Sequence, residues 1–247
     1  MWKNNRKNKN KLHKTKNEVK GEEMKILAID TSSEICSTSI LEDENVIDEN
    51  NLENGKTHSE NLMPLIEELL CRNSVKLSDI DLIACSVGPG SFTGIRIGVS
   101  SIKAIAEVLG VKVASVTSLE TLAKNVTGEK DSTIVSMIDA RNNQVYCGIF
   151  DSEYNKKEEY IADSIENVIE KLIKYQNIIL VGNGAWLHKE LLELKLDNIT
   201  FEKNSKQSAS NVGKMGYKKY KEEELLNADT IIPIYLRKSQ AERMKNI

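Results

Sequence analysis

Aromatic side chains make up only 5% of the 247 residues, and the chain holds three prolines, three histidines and four cysteines. Each scarcity excludes something. Cys36, Cys71, Cys85 and Cys147 are scattered, with no CxxC pair and no Cys/His cluster at zinc spacing. A disulfide framework and a zinc ribbon are therefore excluded, and each cysteine reads as a small core residue in a reducing, cytosolic compartment. His13, His58 and His188 lie far apart without HxxxH or HExxH spacing, which argues against a zinc hydrolase. No serine sits in a nucleophile-elbow context. No apolar run approaches the ~20 residues of a bilayer span.

What is present is ordinary for a globular protein: 40% hydrophobic and 29% charged residues. Residues 1–23 stand apart, with eight Lys/Arg against three Glu and almost no apolar side chains. The net charge of +5 there leaves −8 on the rest. Such a segment cannot bury enough surface to offset its ordering entropy, so it reads as a disordered extension. Codons for Lys20–Glu23 can spell a purine-rich ribosome-binding sequence, which makes Met24 a candidate initiator. The rival reading is a basic arm on RNA phosphates.

From Met24 the pattern is α/β. Three adjacent strands are expected at 25–30, 36–41 and 46–51, then a helix over 57–73 with a Thr57/Glu60 capping box. Leu62, Leu65, Ile66 and Leu69 form its apolar stripe, and Pro64 should kink it or mark a later start. A buried strand at 80–87, a helix to about 109 and a strand at 111–116 follow. A looser series comes next: a hairpin at 132–139 and 144–150, a helix at 164–175, a strand at 177–184, and helices near 185–194 and 208–223. The division implied is 24–124 for a first lobe and 125–247 for a second, half-similar one, with mixed sheets covered by helices.

The stretch SVGPGSFTGIRIG, residues 86–98, invites a phosphate-loop reading. A P-loop needs Lys-Ser/Thr after its last glycine, but Gly94 precedes Ile95 and Arg96; Gly88, Gly90 and Gly94 are spaced one residue too wide for GxGxxG. A backbone nest for an anion stays open beside the plainer role of a tight strand-to-helix turn. His58 reads as exposed in the first turn of its helix. Asp30-Thr31-Ser32 reads as a magnesium and phosphate site or as a polar turn. Gly182 and Gly184 read as an adenine seat or as a tight turn. Asp139-Ala140-Arg141 reads as a structural turn.

The helix after the loop is apolar on too many sides for one sheet contact. Arg96, Ser100, Lys103 and Glu107 make a narrow polar stripe. Ile95, Val99, Ile102, Ala106 and Leu109 make one apolar line; Gly94, Gly98, Ser101, Ile105 and Val108 make another. Burial on two sides is implied, either inside the chain or against a partner. The partner reading places Leu62, Leu65, Leu69, Ile95, Gly98, Val99, Ile102 and Ala106 at an interface.

The segments MKILAIDTSSEICSTSIL, THSENLMPLIEELL, DLIACSVGPGSFTGIRIGVSSIKAIAE, VTSLETLA, IDARNNQVYCGIF and PIYLRKSQAE together resemble the bacterial TsaB (YeaZ) family, from Met24 to about Glu242. The resemblance implies a two-lobed actin/hexokinase-like (ASKHA, ribonuclease H-like) fold. It further implies a non-catalytic subunit that binds and activates the paralogue TsaD, which transfers threonylcarbamoyl to the adenosine beside the tRNA anticodon. The small ATPase TsaE would dock on the pair, a homodimer would form in isolation, and tRNA would be met only indirectly. In TsaD a VNHxxGH-type segment supplies two metal-binding histidines; this chain has Ser118 and Leu122 at those positions. No cofactor or metal of its own is implied, though ATP or ADP at the subunit junction is compatible. Asp30, Thr31, Ser32, Gly182 and Gly184 would be a degenerate nucleotide site. The competing reading is a stand-alone small-molecule kinase or ATPase of the same fold.

Overall fold

A computed structural model of the chain describes residues 23–55, 57–127 and 130–237. The basic extension and the SQAE terminus therefore lie outside the described residues. β1 (Lys25–Asp30), β2 (Cys36–Glu42) and β3 (Asn45–Leu52) form an antiparallel meander. After α1 (His58–Arg72), β4 (Leu82–Ser86) lies parallel to β1. α2 (Phe92–Leu109) then returns the chain to β5 (Lys112–Val116), parallel to β4. The sheet order is β3-β2-β1-β4-β5.

The same plan recurs. α3 (Ser118–Ala123) leads into β6 (Thr133–Asp139), β7 (Gln144–Phe150) and β8 (Ile161–Ser164), a second antiparallel meander. β9 (Ile178–Val181) follows α4 (Ile165–Leu172), and β10 (Ile199–Phe201) follows α5 (Asn183–Leu187) and α6 (Lys189–Lys195). β9 is parallel to both β6 and β10, giving the order β10-β9-β6-β7-β8. Read from each meander outward, both sheets run third, second, first, fourth, fifth strand. This duplicated mixed sheet is the actin/hexokinase-like architecture, although no repeat is visible in the residues themselves.

The period-2 alternation of the strands sorts the core into layers. Leu27, Ile29, Ile83 and Cys85 face α1 and α2, while Ile26, Ala28, Ala84 and Ala114 face the last helix, α7 (Ala209–Lys221). In the second sheet Val135, Met137 and Cys147 face α4 and α6, and Ile134, Ile138 and Phe150 face α3. α7, expected in the second lobe, instead packs on β1, β2, β4 and β5 of the first sheet. Its small residues explain this: Gly213 admits Leu41 and Gly216 admits Ala84 at distances where a methyl would collide. The chain after it stays on the first lobe, with Val113 and Leu226 paired through both backbone groups and Ile234 N donating to Val87 O (2.8 Å).

Pro64 neither delays nor ends α1, which begins six residues earlier. Pro64 and Glu60 are both exposed, so the carbonyl that loses its helical donor faces water. Glu60 Oε2 accepts from Thr57 N (3.1 Å) and from the Thr57 hydroxyl (2.8 Å), securing the start. No helix of the described residues is long and apolar enough to cross a membrane.

Candidate functional site

The β1–β2 turn and the start of α2 are built together. Ser91 caps α2, its hydroxyl accepting from Gly94 N (3.2 Å). Ser91 N donates to Ser32 O (2.8 Å), and the Thr31 hydroxyl donates to Gly94 O (2.8 Å). Gly90, Gly94 and Gly98 turn toward this turn in succession: a Cβ on any of them would lie within 3.0 Å of a Thr31 or Ser32 oxygen. The glycines therefore let a helix seat on a turn. Thr31 and Ser32 are buried beneath it, their oxygens packed directly against Gly90, Gly94 and Gly98.

Asp30 ends β1 in the same closed place. Its Oδ1 accepts from Ser32 N (2.8 Å) and the Ser32 hydroxyl (2.7 Å), while Oδ2 is buried without a partner. Burial raises its pKa, against the opposing pull of the Ser32 hydrogen bonds, Ser86 and His58. The carboxylate in turn adds to the burial that pushes the Cys36 thiol up to about 11. His58, expected to be exposed, is half-buried; its Nε2 lies 2.8 Å from Ser33 O and clamps α1 to the turn.

Asp139 holds the matching position in the second lobe, at the end of β6. Its Oδ1 accepts from Arg141 N (2.8 Å), and Asn183 Oδ1 accepts from Asp139 N (3.0 Å). Arg141, Asn142 and Asn143 all have positive φ, so this is the tight turn of the β6–β7 hairpin. Gly182 takes φ +104° at the start of α5, and a Cβ there would strike Met137 O. Gly184 is pressed against the Ile138 and Asp139 backbone. The structure thus gives Asp30, Thr31 and Ser32 to α2, and Gly182 and Gly184 to β6.

Ser118 and Leu122 lie on α3, where Thr117 and Glu120 form a reciprocal capping box: Thr117 N to Glu120 Oε2 is 2.6 Å and Glu120 N to Thr117 Oγ1 is 3.1 Å. The spacing Thr-x-x-Glu was the signal that could have placed this helix in advance. Both residues are fully buried; Ser118 Oγ pairs with Ser86 Oγ (3.0 Å), and Leu122 packs with Leu119, Ile134 and Val181. Among the described residues no group of three or more His, Cys, Asp or Glu side chains is gathered as a metal site.

The expected interface set needs correction. Leu62, Leu65, Leu69, Ile95, Val99, Ile102 and Ala106 are at most 7% exposed, and Gly98 is buried on Thr31. They form the first lobe's core because α2 lies flat on the sheet and α1 fills its second side. What α1 and α2 turn outward is different: Ser59, Met63, Arg96, Ile97, Ser100 and Ser101 line a shallow groove of ≈ 370 Å³ between them. Val108, at 85% exposure, extends this face, and Met63 is about half exposed. Arg96 is held in place, Nε donating to Tyr235 OH (2.8 Å), while Phe92 stacks on the Tyr235 ring at 5.0 Å.

A duplicated mixed sheet with its strand-end loops folded shut defines a two-lobed protein of actin/hexokinase class. The TM-score to a polyphosphate/ATP-glucomannokinase of Arthrobacter sp. strain KM is 0.51 at 10% identity, over 81% of this chain and 99% of that one, a likeness of fold alone. A Pseudomonas aeruginosa protein described as similar to peptidase YeaZ superposes with a TM-score of 0.76 at 25% identity, over 87% of this chain and all of that one. The family model for TsaD, tRNA N6-adenosine threonylcarbamoyltransferase, matches residues 49–245. The tRNA threonylcarbamoyladenosine biosynthesis protein TsaB of Bacillus subtilis (strain 168) is 33% identical over 223 residues, 89% of this chain and 96% of that protein. The TsaB of Buchnera aphidicola subsp. Baizongia pistaciae (strain Bp) is 34% identical over 85% of this chain and 97% of that protein. The chain belongs to the TsaB (YeaZ) family.

Proposed function

We propose that this chain is the non-catalytic partner subunit in tRNA threonylcarbamoyladenosine synthesis, binding and activating a TsaD-type transferase. The observation that carries this reading is the burial of Ser118 and Leu122. In the transferase these positions are expected to present metal-binding histidines; here a hydroxyl closes on Ser86 and an isobutyl group fills the core. The filled β1–β2 turn supports it further, since a stand-alone kinase of this fold needs backbone donors open to phosphate at that point.

The partner face is the outward surface of α1 and α2. Small side chains at Ser100, Ser101 and Ala104 let a second helix pair approach closely, with Met63, Ile97 and Val108 as apolar contacts and Arg96 at the edge. The transferase, sharing the fold, offers the equivalent pair. In its absence a second copy of this chain takes the same place in an isologous dimer. TsaE docks on the heterodimer, and tRNA contacts fall mainly to the other subunits.

Reconstitution tests this. Threonylcarbamoyl transfer to tRNA is expected when this chain and the transferase are combined with TsaE, and to fail when this chain is omitted. Transfer at full rate without it, or ATP turnover by this chain alone, would overturn the reading.

A further inference from the structure

On a different surface, the end of α3, α7, the β2–β3 turn and the loop after β7 line an open recess of ≈ 680 Å³. The loop is built rather than slack: Asp151 Oδ1 accepts from Glu153 N (2.9 Å) and Asn155 N (2.8 Å), and Tyr154 OH donates to Val126 O (2.9 Å). Tyr154 and the buried Met215 give the recess an aromatic and apolar wall.

Its lining carries charges of both signs. Lys124, Lys214 and Lys218 are half-buried, whereas Glu44, Glu153 and Glu222 are exposed at the rim along with Lys221. Lys214 and Lys218 stand one turn apart on α7, and Lys124 ends α3. Lys218 is anchored, its Nζ donating to Glu153 O (3.0 Å) and Asn155 Oδ1 (2.7 Å), with Glu222 at 3.9 Å. Lys124 Nζ lies 4.1 Å from the Tyr154 ring centroid. The Lys214 ammonium makes no hydrogen bond or ion pair with any described residue. Burial lowers the Lys124 pKa; Glu44 opposes that, and Lys214 and Lys218 reinforce it. Lys214 and Lys218 repel the Lys124 ammonium, and Glu44 and Glu222 at the rim offset only part of that repulsion, so an added anion among the three would be attracted.

We propose that this recess binds a small phosphate-bearing ligand of the nucleoside monophosphate class, its phosphate on Lys124, Lys214 and Lys218 and its base against Tyr154 and Met215. Lysine suits the role as a point charge for phosphate, and the recess volume lies in the range of small-ligand sites. The site is separate from the α1/α2 face and does not depend on the partner reading.

Calorimetric titration of the full chain with AMP, adenosine and inorganic phosphate tests it. AMP is expected to saturate, to weaken with added salt and to be displaced by phosphate, while adenosine gives no heat. Lys124→Gln and Lys214→Gln should each weaken AMP about tenfold or more, a loss of about 1.4 kcal/mol. Lys214→Arg should retain most of the affinity, and Lys206→Gln, elsewhere on the surface, should leave it unchanged. Melting curves within a degree or so of the parent show that the variants are folded. Failure of AMP to saturate below about 10 mM, or an affinity indifferent to both Gln substitutions, would overturn the proposal. So would phosphate binding as tightly as AMP, or single-stranded RNA using these lysines where AMP does not.

Discussion

Gly94 meets Thr31 with no room for a methyl group: a Cβ at Gly94 would lie under 3.0 Å from the Thr31 carbonyl oxygen, while Gly94 O accepts the Thr31 hydroxyl at 2.8 Å. Two competing effects can be weighed here. Alanine raises helix propensity by about 1 kcal/mol over glycine. The clash with fixed backbone has no flexible side chain to yield, and overpacking of that kind costs about 1–3 kcal/mol. Gly94→Ala should therefore destabilise the fold by up to about 2 kcal/mol net, read as a lower urea midpoint. Gly98→Ala, which meets the Thr31 hydroxyl instead, should show the same sign and also break its hydrogen bond.

Glu49 caps a helix 160 residues further along the chain. Its Oε1 accepts from Ser208 Oγ (2.7 Å) and Ser210 N (2.7 Å) at the start of α7. Burial would raise its pKa, but these hydrogen bonds outweigh burial and leave it lowered. A carboxyl with a depressed folded pKa adds stability above its unfolded value of 4.5 and loses it as pH falls through the lower folded value. Glu49→Gln should cost about 1–2 kcal/mol at pH 7 and flatten the stability curve below pH 4.5. Thermal melts from pH 7 down to pH 3 check both.

Much of this architecture is legible in the residues. KILAID, CSTSIL and QVYCGIF show their strands because apolar runs and β-branched residues coincide, and the 94–109 helix shows through its period. What fails is the step from a broad apolar coat to an outward face. Ile95, Val99 and Ile102 look like candidates for a partner, but the glycines at 90, 94 and 98 seat α2 so that these residues and Ile105 turn inward, while Ser101 and Val108 of the second line turn outward. Glycine carries no side-chain signal, and what it packs against lies sixty residues away at Thr31. β8 and β10 are short and only partly buried, so their alternation is too weak to read. The return of α7 to the first sheet is a long-range choice made by Gly213 and Gly216, invisible to any local pattern.

Asp30 offers a test in which removing charge should help. Its pKa is raised chiefly by burial, so ionising Asp30 costs the folded state more than the unfolded one. Asn keeps an oxygen for Ser32 N and the Ser32 hydroxyl while dropping that charge. Relative to the parent, Asp30→Asn should gain stability as pH rises from the ordinary carboxyl value of 3.8 toward pH 8, and the difference should vanish at lower pH, where both folded and unfolded carboxyls are protonated. A kinase relying on Asp30 would instead lose activity with this change, so turnover assays on the same protein separate the two readings. Melting temperatures at pH 8 and pH 4 are the stability measurement.

The last test separates the inside of α2 from its outside. Ile102 is fully buried, so Ile102→Asp places an unpaired carboxylate in the core and should cost about 3–5 kcal/mol, unfolding much of the population. Loss of partner binding by that variant would mean nothing. Ala104 and Ser100 are exposed on the opposite side. Ala104→Glu and Ser100→Arg should leave the melting temperature within about 2 °C of the parent, since surface changes rarely exceed ~0.5 kcal/mol. Bulk and charge inserted where two helices must close to 8–10 Å should nevertheless weaken transferase binding at least tenfold in titration calorimetry. Folded variants that still bind at parental affinity would place the partner on a surface other than α1 and α2.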